Sequence, residues 1–154
     1  MFRIVLVQPE IPPNTGNVIR LAANTGCELH LVEPLGFSMD DRLLRRAGLD
    51  YHEFAEVRRH ARWDDFAATA DAARCFGFST RGTARLDDVD WRPGDSLVFG
   101  NESAGLPADL RGQFPPGRLV RLPMRPGQRS LNLSNAVAVA VFAAWHRNGY
   151  SGGV

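Results

Sequence analysis

The chain is poor in the residues that build metal centres and covalent frameworks. It has two cysteines, Cys27 and Cys75, and four histidines, His30, His52, His60 and His146. Neither set has the short repeated spacing of a metal site or a disulfide scaffold, so no metal is expected and both cysteines read as buried, reduced thiols. Net charge is equally scarce. Eighteen basic residues against seventeen acidic ones leave a formal charge of +1, so no global field advertises nucleic acid and phosphate binding has to come from a local patch. Long apolar runs are missing as well. The nearly apolar stretch 136–145 is about half of the roughly 20 residues that a membrane span needs. Met1 leads straight into Phe2-Arg3-Ile4-Val5-Leu6-Val7, too short for a signal peptide and apt for a strand. Phosphate-loop, GxGxxG, HExxH and GxSxG patterns are absent. A cytoplasmic protein with no membrane contact is the expectation.

What is present is an ordinary globular composition, 44% hydrophobic and 23% charged over 154 residues, enough for one core and hence one domain over 1–154. Apolar β-rich runs alternate with helical patterns, which predicts an α/β fold: a mostly parallel sheet flanked by helices. Strands are expected over 3–7, 29–33, 73–79, 96–100 and 119–122. Helices are expected over 14–25, with Asn14 as N-cap and Gly26 as stop, over 40–47 and 63–72, and from about 132 to 148, ended by Gly149. That last helix is apolar nearly all round, through Ala136, Val137, Val139, Val141, Phe142 and Trp145. Such a helix must be covered on most faces, which predicts a second copy of the chain against it.

Three segments have more chemistry than structure alone requires. Pro9–Arg20 (Pro9-Glu10-Ile11-Pro12-Pro13-Asn14-Thr15-Gly16-Asn17-Val18-Ile19-Arg20) follows the first strand and enters a helix, whose N-terminus could cradle an anion beside Arg20. On spacing alone, a plain capped helix with a solvent-facing arginine is the simpler reading. Gly100-Asn101-Glu102-Ser103-Ala104-Gly105-Leu106-Pro107 ends an apolar strand, where ligands of parallel sheets bind. It also suits an ordinary strand-to-helix turn with Glu102 exposed. Arg129-Ser130-Leu131-Asn132-Leu133-Ser134-Asn135 places four small polar residues before an apolar helix, where one cap would suffice.

Together these segments resemble the SPOUT class of RNA methyltransferases, and within it the TrmL-type branch acting on the ribose of tRNA cytidine or uridine 34. The likeness runs through the whole chain and includes Arg45-Arg46-Ala47-Gly48-Leu49-Asp50-Tyr51. It implies a C-terminal deep trefoil knot, which periodicity could not suggest. It further implies S-adenosyl-L-methionine as cofactor, bound by Phe78, Gly100, Leu122, Ser130 and Leu131, with Met124 and Leu133 packed around it. Arg20, Glu102, Ser130 and Asn132 are the implied catalytic set. RNA contacts fall to Asn14, Asn17, Arg20, Arg125 and Arg129, and the partners are a tRNA anticodon stem-loop and a second copy of the chain. Close relatives carry Tyr-Glu where this chain has Phe142-Ala143, so a tyrosine hydroxyl there is lacking.

A ribose 2′-hydroxyl is a poor nucleophile and no histidine falls in the three segments. Arg20 is therefore expected to hold a backbone phosphate and orient the hydroxyl, since a neutral arginine would need a very large pKa shift. Further basic groups are Arg42, Arg45 and Arg46, and Arg58, Arg59, His60 and Arg62. The rival readings are a knotted methyltransferase acting on ribosomal RNA or a tRNA base, and a non-catalytic RNA-binding protein of the same fold.

Overall fold

Six strands form one wholly parallel sheet in the order β3-β2-β1-β5-β4-β6. The structure, a computed structural model, describes residues 1–46 and 56–154. The end of the predicted helix 40–47, most of the segment 45–51 and His52 lie outside the described residues. The elements are β1 (Arg3–Val7), α1 (Pro12–Thr25), β2 (Glu28–Val32), α2 (Arg42–Arg45), β3 (Val57–His60), α3 (Trp63–Ala67), β4 (Cys75–Phe78), β5 (Ser96–Phe99), α4 (Ala108–Arg111), β6 (Leu119–Val120) and α5 (Leu133–Arg147).

The central strands are apolar on both faces because helices cover both. Side chains alternate across the sheet. Ile4, Leu6, Leu97 and Phe99 join one core with Val18, Ile19, Val137 and Val141 of α1 and α5. Val5, Val7 and Val98 join the other with Phe66 of α3, Leu110 of α4 and Phe114. Cys27 and Cys75 are free and buried, and burial raises both thiol pKa values. Among the described residues no helix is long and apolar enough to cross a membrane.

Several sequence-based boundaries shift. α1 begins two residues before Asn14: Ile11 is the N-cap residue, and proline occupies the first helical turn, where its missing N–H is no loss. The predicted helix over 63–72 stops at Ala67, and a 3₁₀ turn, Ala72–Arg74, enters β4. β3 was not expected. Its Val57-Arg58-Arg59-His60 reads as a basic cluster because an edge strand has little apolar face to bury. Arg58 pairs with Glu28 and Arg59 with Glu33, and Arg62, at the start of α3, pairs with Asp65. α4 is a single turn, too short to leave a periodic signal.

α5 buries one stripe, Leu133, Val137, Ala140, Val141 and Ala144. The sequence reading had it covered on most faces; within the chain, Val139 and Phe142 stay 48% and 45% exposed.

The β2–β3 edge also carries a buried imidazole. His30 Nδ1 lies 2.9 Å from His60 Nε2, its Nε2 lies 3.2 Å from Glu28 Oε2, and Phe66 packs edge-on against both rings. Burial, first of all, depresses the His30 pKa below 6.5, with Glu28 opposing and His60 assisting. Burial likewise lowers His60, against the pull of Asp65. The folded state therefore binds fewer protons than the unfolded chain just below pH 6.5, and stability falls as pH drops through that window. The melting temperature should fall between pH 7.5 and 5.5, and fall less in His60→Gln. Equal falls in both proteins would overturn the attribution to this pair.

Candidate active site

β1 and β5 lie side by side in parallel, with Leu6 opposite Phe99, yet their connections run to opposite sides of the sheet. Such a reversal leaves a crevice at the carboxyl ends of the two strands. The loops 8–11 and 100–107 emerge into it next to each other. Gln8 stands at a positive φ of 54° where the first loop leaves the sheet, a strained conformation for a side chain with a Cβ.

The second loop is a tight knuckle. Asn101 and Gly105 form an antiparallel bridge, Asn101 Oδ1 accepts from the Ala104 N–H at 2.8 Å, and Gly105 has a φ of 71°. Gly100 touches the backbone of the returning strand so closely that a Cβ there would lie 1.9 Å from the Gly105 carbonyl carbon.

Glu102 reaches from this knuckle to the first loop. Its Oε2 accepts from the Glu10 N–H at 2.8 Å, and its Oε1 from the Ile11 N–H at 3.0 Å and from Asn14 Nδ2 at 3.2 Å. Ile11 has no side-chain cap of its own, so a carboxylate 91 residues away along the chain does the capping. Negative charge suits the positive end of a helix. Asn14, 6% exposed, in turn accepts from Asn132 Nδ2 at 2.9 Å. Asn132 caps α5: its Oδ1 accepts from the Asn135 N–H at 3.3 Å and from Ser134 Oγ at 2.7 Å. One continuous relay, Glu102–Asn14–Asn132–Ser134, thus ties the three segments together. Ser103 Oγ adds a bond to Glu10 Oε1 at 2.8 Å.

Beside this relay lies a cavity of about 590 Å³ at the carboxyl ends of β4, β5 and β6. Apolar walls come from Phe78, Phe99, Val120, Leu122, Met124 and Leu133, and polar ones from Ser79, Thr80, Ser103 and Ser130. The volume and the mixed lining are those of a small-molecule site. Phe78, Gly100, Glu102, Leu122, Arg129, Ser130, Leu131, Asn132 and Asn14 all line it. The exposed Ser130 hydroxyl has no hydrogen-bond partner among the described residues, which leaves it for a ligand. Arg20, Asn17 and Arg125 are exposed and do not line the cavity. Arg20 is the ninth residue of α1, some 12 Å from its start at 1.5 Å per residue.

Ser79, Thr80, Arg81 and Arg111 also line the cavity and were missed. The first three follow β4 as the knuckle follows β5, so the strand-end rule would have flagged them.

The SpoU rRNA Methylase family matches residues 1–142. The chain belongs to that family. A tRNA (cytidine(34)-2'-O)-methyltransferase of Burkholderia ambifaria is 63% identical over 155 residues, with 99% of each chain covered. A solved structure concerned with the 2-OH methylation of C/U34 on tRNA is 44% identical, covers 97% of both chains and superposes with a TM-score of 0.89. An AdoMet-bound rRNA methyltransferase from Sinorhizobium meliloti is 26% identical with a TM-score of 0.79, over 94% of this chain and 56% of that one. The family's matched span ends within α5, after all three segments of the relay.

Proposed function

We propose that the chain is a tRNA (cytidine(34)-2′-O)-methyltransferase that methylates the ribose 2′-hydroxyl of the wobble nucleotide, cytidine or modified uridine. The observation that carries this reading is the relay-braced cavity in a chain matched end to end by a relative of that name. S-adenosyl-L-methionine is the cofactor, and the residues present fit it. Gly100 lines the cavity on a knuckle closed tightly on its own backbone, Phe78 and Leu122 would supply apolar cover, and Ser130 and backbone groups at Leu122 and Leu131 would supply polar contacts. When bound, the cofactor supplies an electrophilic methyl group on sulfonium.

The chain's own part is to bind and align. Ser130 holds the incoming 2′-hydroxyl against the donor. Asn132 and Glu102 act through position, because the Glu102 carboxylate already takes three N–H donors and the Asn132 amide bonds on both sides. Arg20, outside the cavity, holds a backbone phosphate of the RNA, with Asn17 one turn before it and Arg125 and Arg129 beside the third segment. Asn14 is assigned to bracing rather than to RNA contact, since its amide is buried and engaged. When the 2′-hydroxyl takes the cofactor's methyl group, its proton would pass to that phosphate or to solvent.

The family relationship supports a single domain over 1–154 with a C-terminal trefoil knot, acting in the cytoplasm where tRNA is modified. The exposed Val139 and Phe142 support a homodimer through α5, with two copies gripping one anticodon stem-loop. Sedimentation should show a dimer at micromolar concentration, and a monomer would remove that part.

The decisive experiment incubates the protein with labelled S-adenosylmethionine and tRNA from a strain lacking the enzyme, then maps the modified nucleoside. A 2′-O-methyl group on nucleotide 34 is the expected product. Methylation of a base, methylation of ribosomal RNA alone, or binding without turnover would overturn the reading.

A further inference from the structure

All eighteen basic residues of the chain are arginines; lysine is absent. A guanidinium fork presents paired donors to a carboxylate or phosphate, so where each fork is spent is informative. Several forks away from the cavity are spent on the protein's own acids. Arg3 and Arg58 meet Glu28, Arg59 meets Glu33, Arg74 meets Asp95, Arg85 meets Asp87 and Arg92 meets Asp90.

Arg81 differs. It lines the cavity, is exposed at its rim, and its guanidinium has no acidic or carbonyl partner among the described residues. Among the described residues Glu102 is the one carboxylate in the cavity lining, and its oxygens are turned to the start of α1. Among the described residues the lining therefore carries an excess of positive charge, Arg81, Arg111 and Arg129 against Glu102.

The turn that holds Arg81 is built to stay still. Ser79 N–H donates to the Val120 carbonyl at 3.0 Å, Gly82 N–H to the Ser79 carbonyl at 3.0 Å, and Ala84 N–H to the Leu119 carbonyl at 3.2 Å. A Cβ on Gly82 would lie 2.6 Å from the Leu119 oxygen, so this turn is pressed onto β6. A positive fork on a clamped turn, beside a cavity where a nucleotide must enter, suits an anion that arrives with that nucleotide.

We propose that Arg81 reads a backbone phosphate of the RNA next to the nucleotide being methylated. The proposal rests on the RNA-methylation reading above and adds a residue from a fourth segment. The other anion at hand is the cofactor's carboxylate. Arg111, half-buried and donating to the Leu106 carbonyl at 3.4 Å, is better enclosed for that partner, whereas Arg81 faces solvent where a polymer crosses the opening.

The test measures tRNA affinity of the full-length protein across a salt series, S-adenosylmethionine affinity by calorimetry, and steady-state methylation. Arg81→Ala should weaken tRNA binding roughly threefold to tenfold and lower the slope of log affinity against log salt by about 0.7 to 0.9, the loss of one phosphate contact. KM for tRNA should rise by a similar factor, with kcat and cofactor affinity near wild type. Arg81→Lys should restore the slope but only part of the affinity, because the point charge survives and the fork does not. Arg85→Ala, which removes an equal charge away from the cavity, should change neither. An unchanged salt slope in Arg81→Ala overturns the proposal. An unchanged slope with weakened cofactor binding reassigns Arg81 to the cofactor's carboxylate. Failure of the wild-type protein to methylate tRNA would instead overturn the reaction, and the binding series would still decide Arg81.

Discussion

Gly100→Ala abolishes S-adenosylmethionine binding and lowers the melting temperature by several degrees. The added carbon would sit 1.9 Å from the Gly105 carbonyl carbon, 2.0 Å from the Leu106 nitrogen and 2.3 Å from the Gly105 oxygen. All three are backbone atoms, so no side-chain rotation relieves the clash, and the knuckle has to open. Opening it breaks the Asn101–Gly105 bridge and carries Glu102 away from Glu10 and Ile11. Overpacking costs about 1–3 kcal/mol, roughly 2–12 °C for a chain of this size. The effect on binding is larger, because the displaced backbone is itself the cradle. Gly105→Ala is the informative comparison. Its φ of 71° is strained for alanine but nothing lies within 4 Å of the new carbon, so it should cost about 1–2 kcal/mol and retain measurable cofactor affinity. Calorimetric titration and thermal melts of the two variants check this. A Gly100→Ala protein that binds cofactor and melts like wild type would show that the knuckle is not the cradle.

Asn14→Ala should lower kcat roughly 10²-fold, as expected when reacting groups move by about 1 Å, while KM for tRNA changes little. Asn14 is the joint at which the first, second and third segments meet: it donates to Glu102 at 3.2 Å and accepts from Asn132 at 2.9 Å. Removing it leaves the Asn132 N–H group unpartnered and frees the loops from each other, at a cost of about 1–3 kcal/mol in stability. The isosteric Asn14→Asp should do worse at neutral pH, since it turns the donor facing Glu102 into a second carboxylate. Two carboxylates that close bind a proton more readily when folded, so the defect of Asn14→Asp should shrink as pH falls towards 5. Steady-state kinetics separate the roles. A rise in KM for tRNA with kcat intact would mean that Asn14 touches RNA after all, and a bracing role would be false.

The three segments were legible because each has more polar residues and glycines than its local structure needs. Their mutual contacts were not legible. Glu102 stood out as a polar residue at a strand end, yet nothing within its own segment shows that it caps a helix 91 residues away. Asn14 looked like a helix cap because Asn before an apolar periodic run usually is one, and the helix starts earlier because two prolines already supply its first turn. Arg20 belongs to the same segment but is exposed on α1, outside the cavity lining. The basic run at 58–62 spans an edge strand and the start of α3, and Arg58, Arg59 and Arg62 pair with Glu28, Glu33 and Asp65.

Local patterning alone determined the parallel α/β class, the apolar central strands, the start and stop of α5 and the surplus of polar groups around 130–135. These are properties of near neighbours in the chain: periodicity, capping and turn chemistry act within a few residues. Strand order was decided only in three dimensions, because pairing β5 with β1 depends on which faces can be buried together and not on either strand's own pattern. That pairing places the 8–11 and 100–107 loops side by side. The same tertiary choice converts Glu102 from an exposed strand-end carboxylate into the cap of α1, turns Asn14 into the joint of the relay, and brings Arg81 to the rim of the cavity.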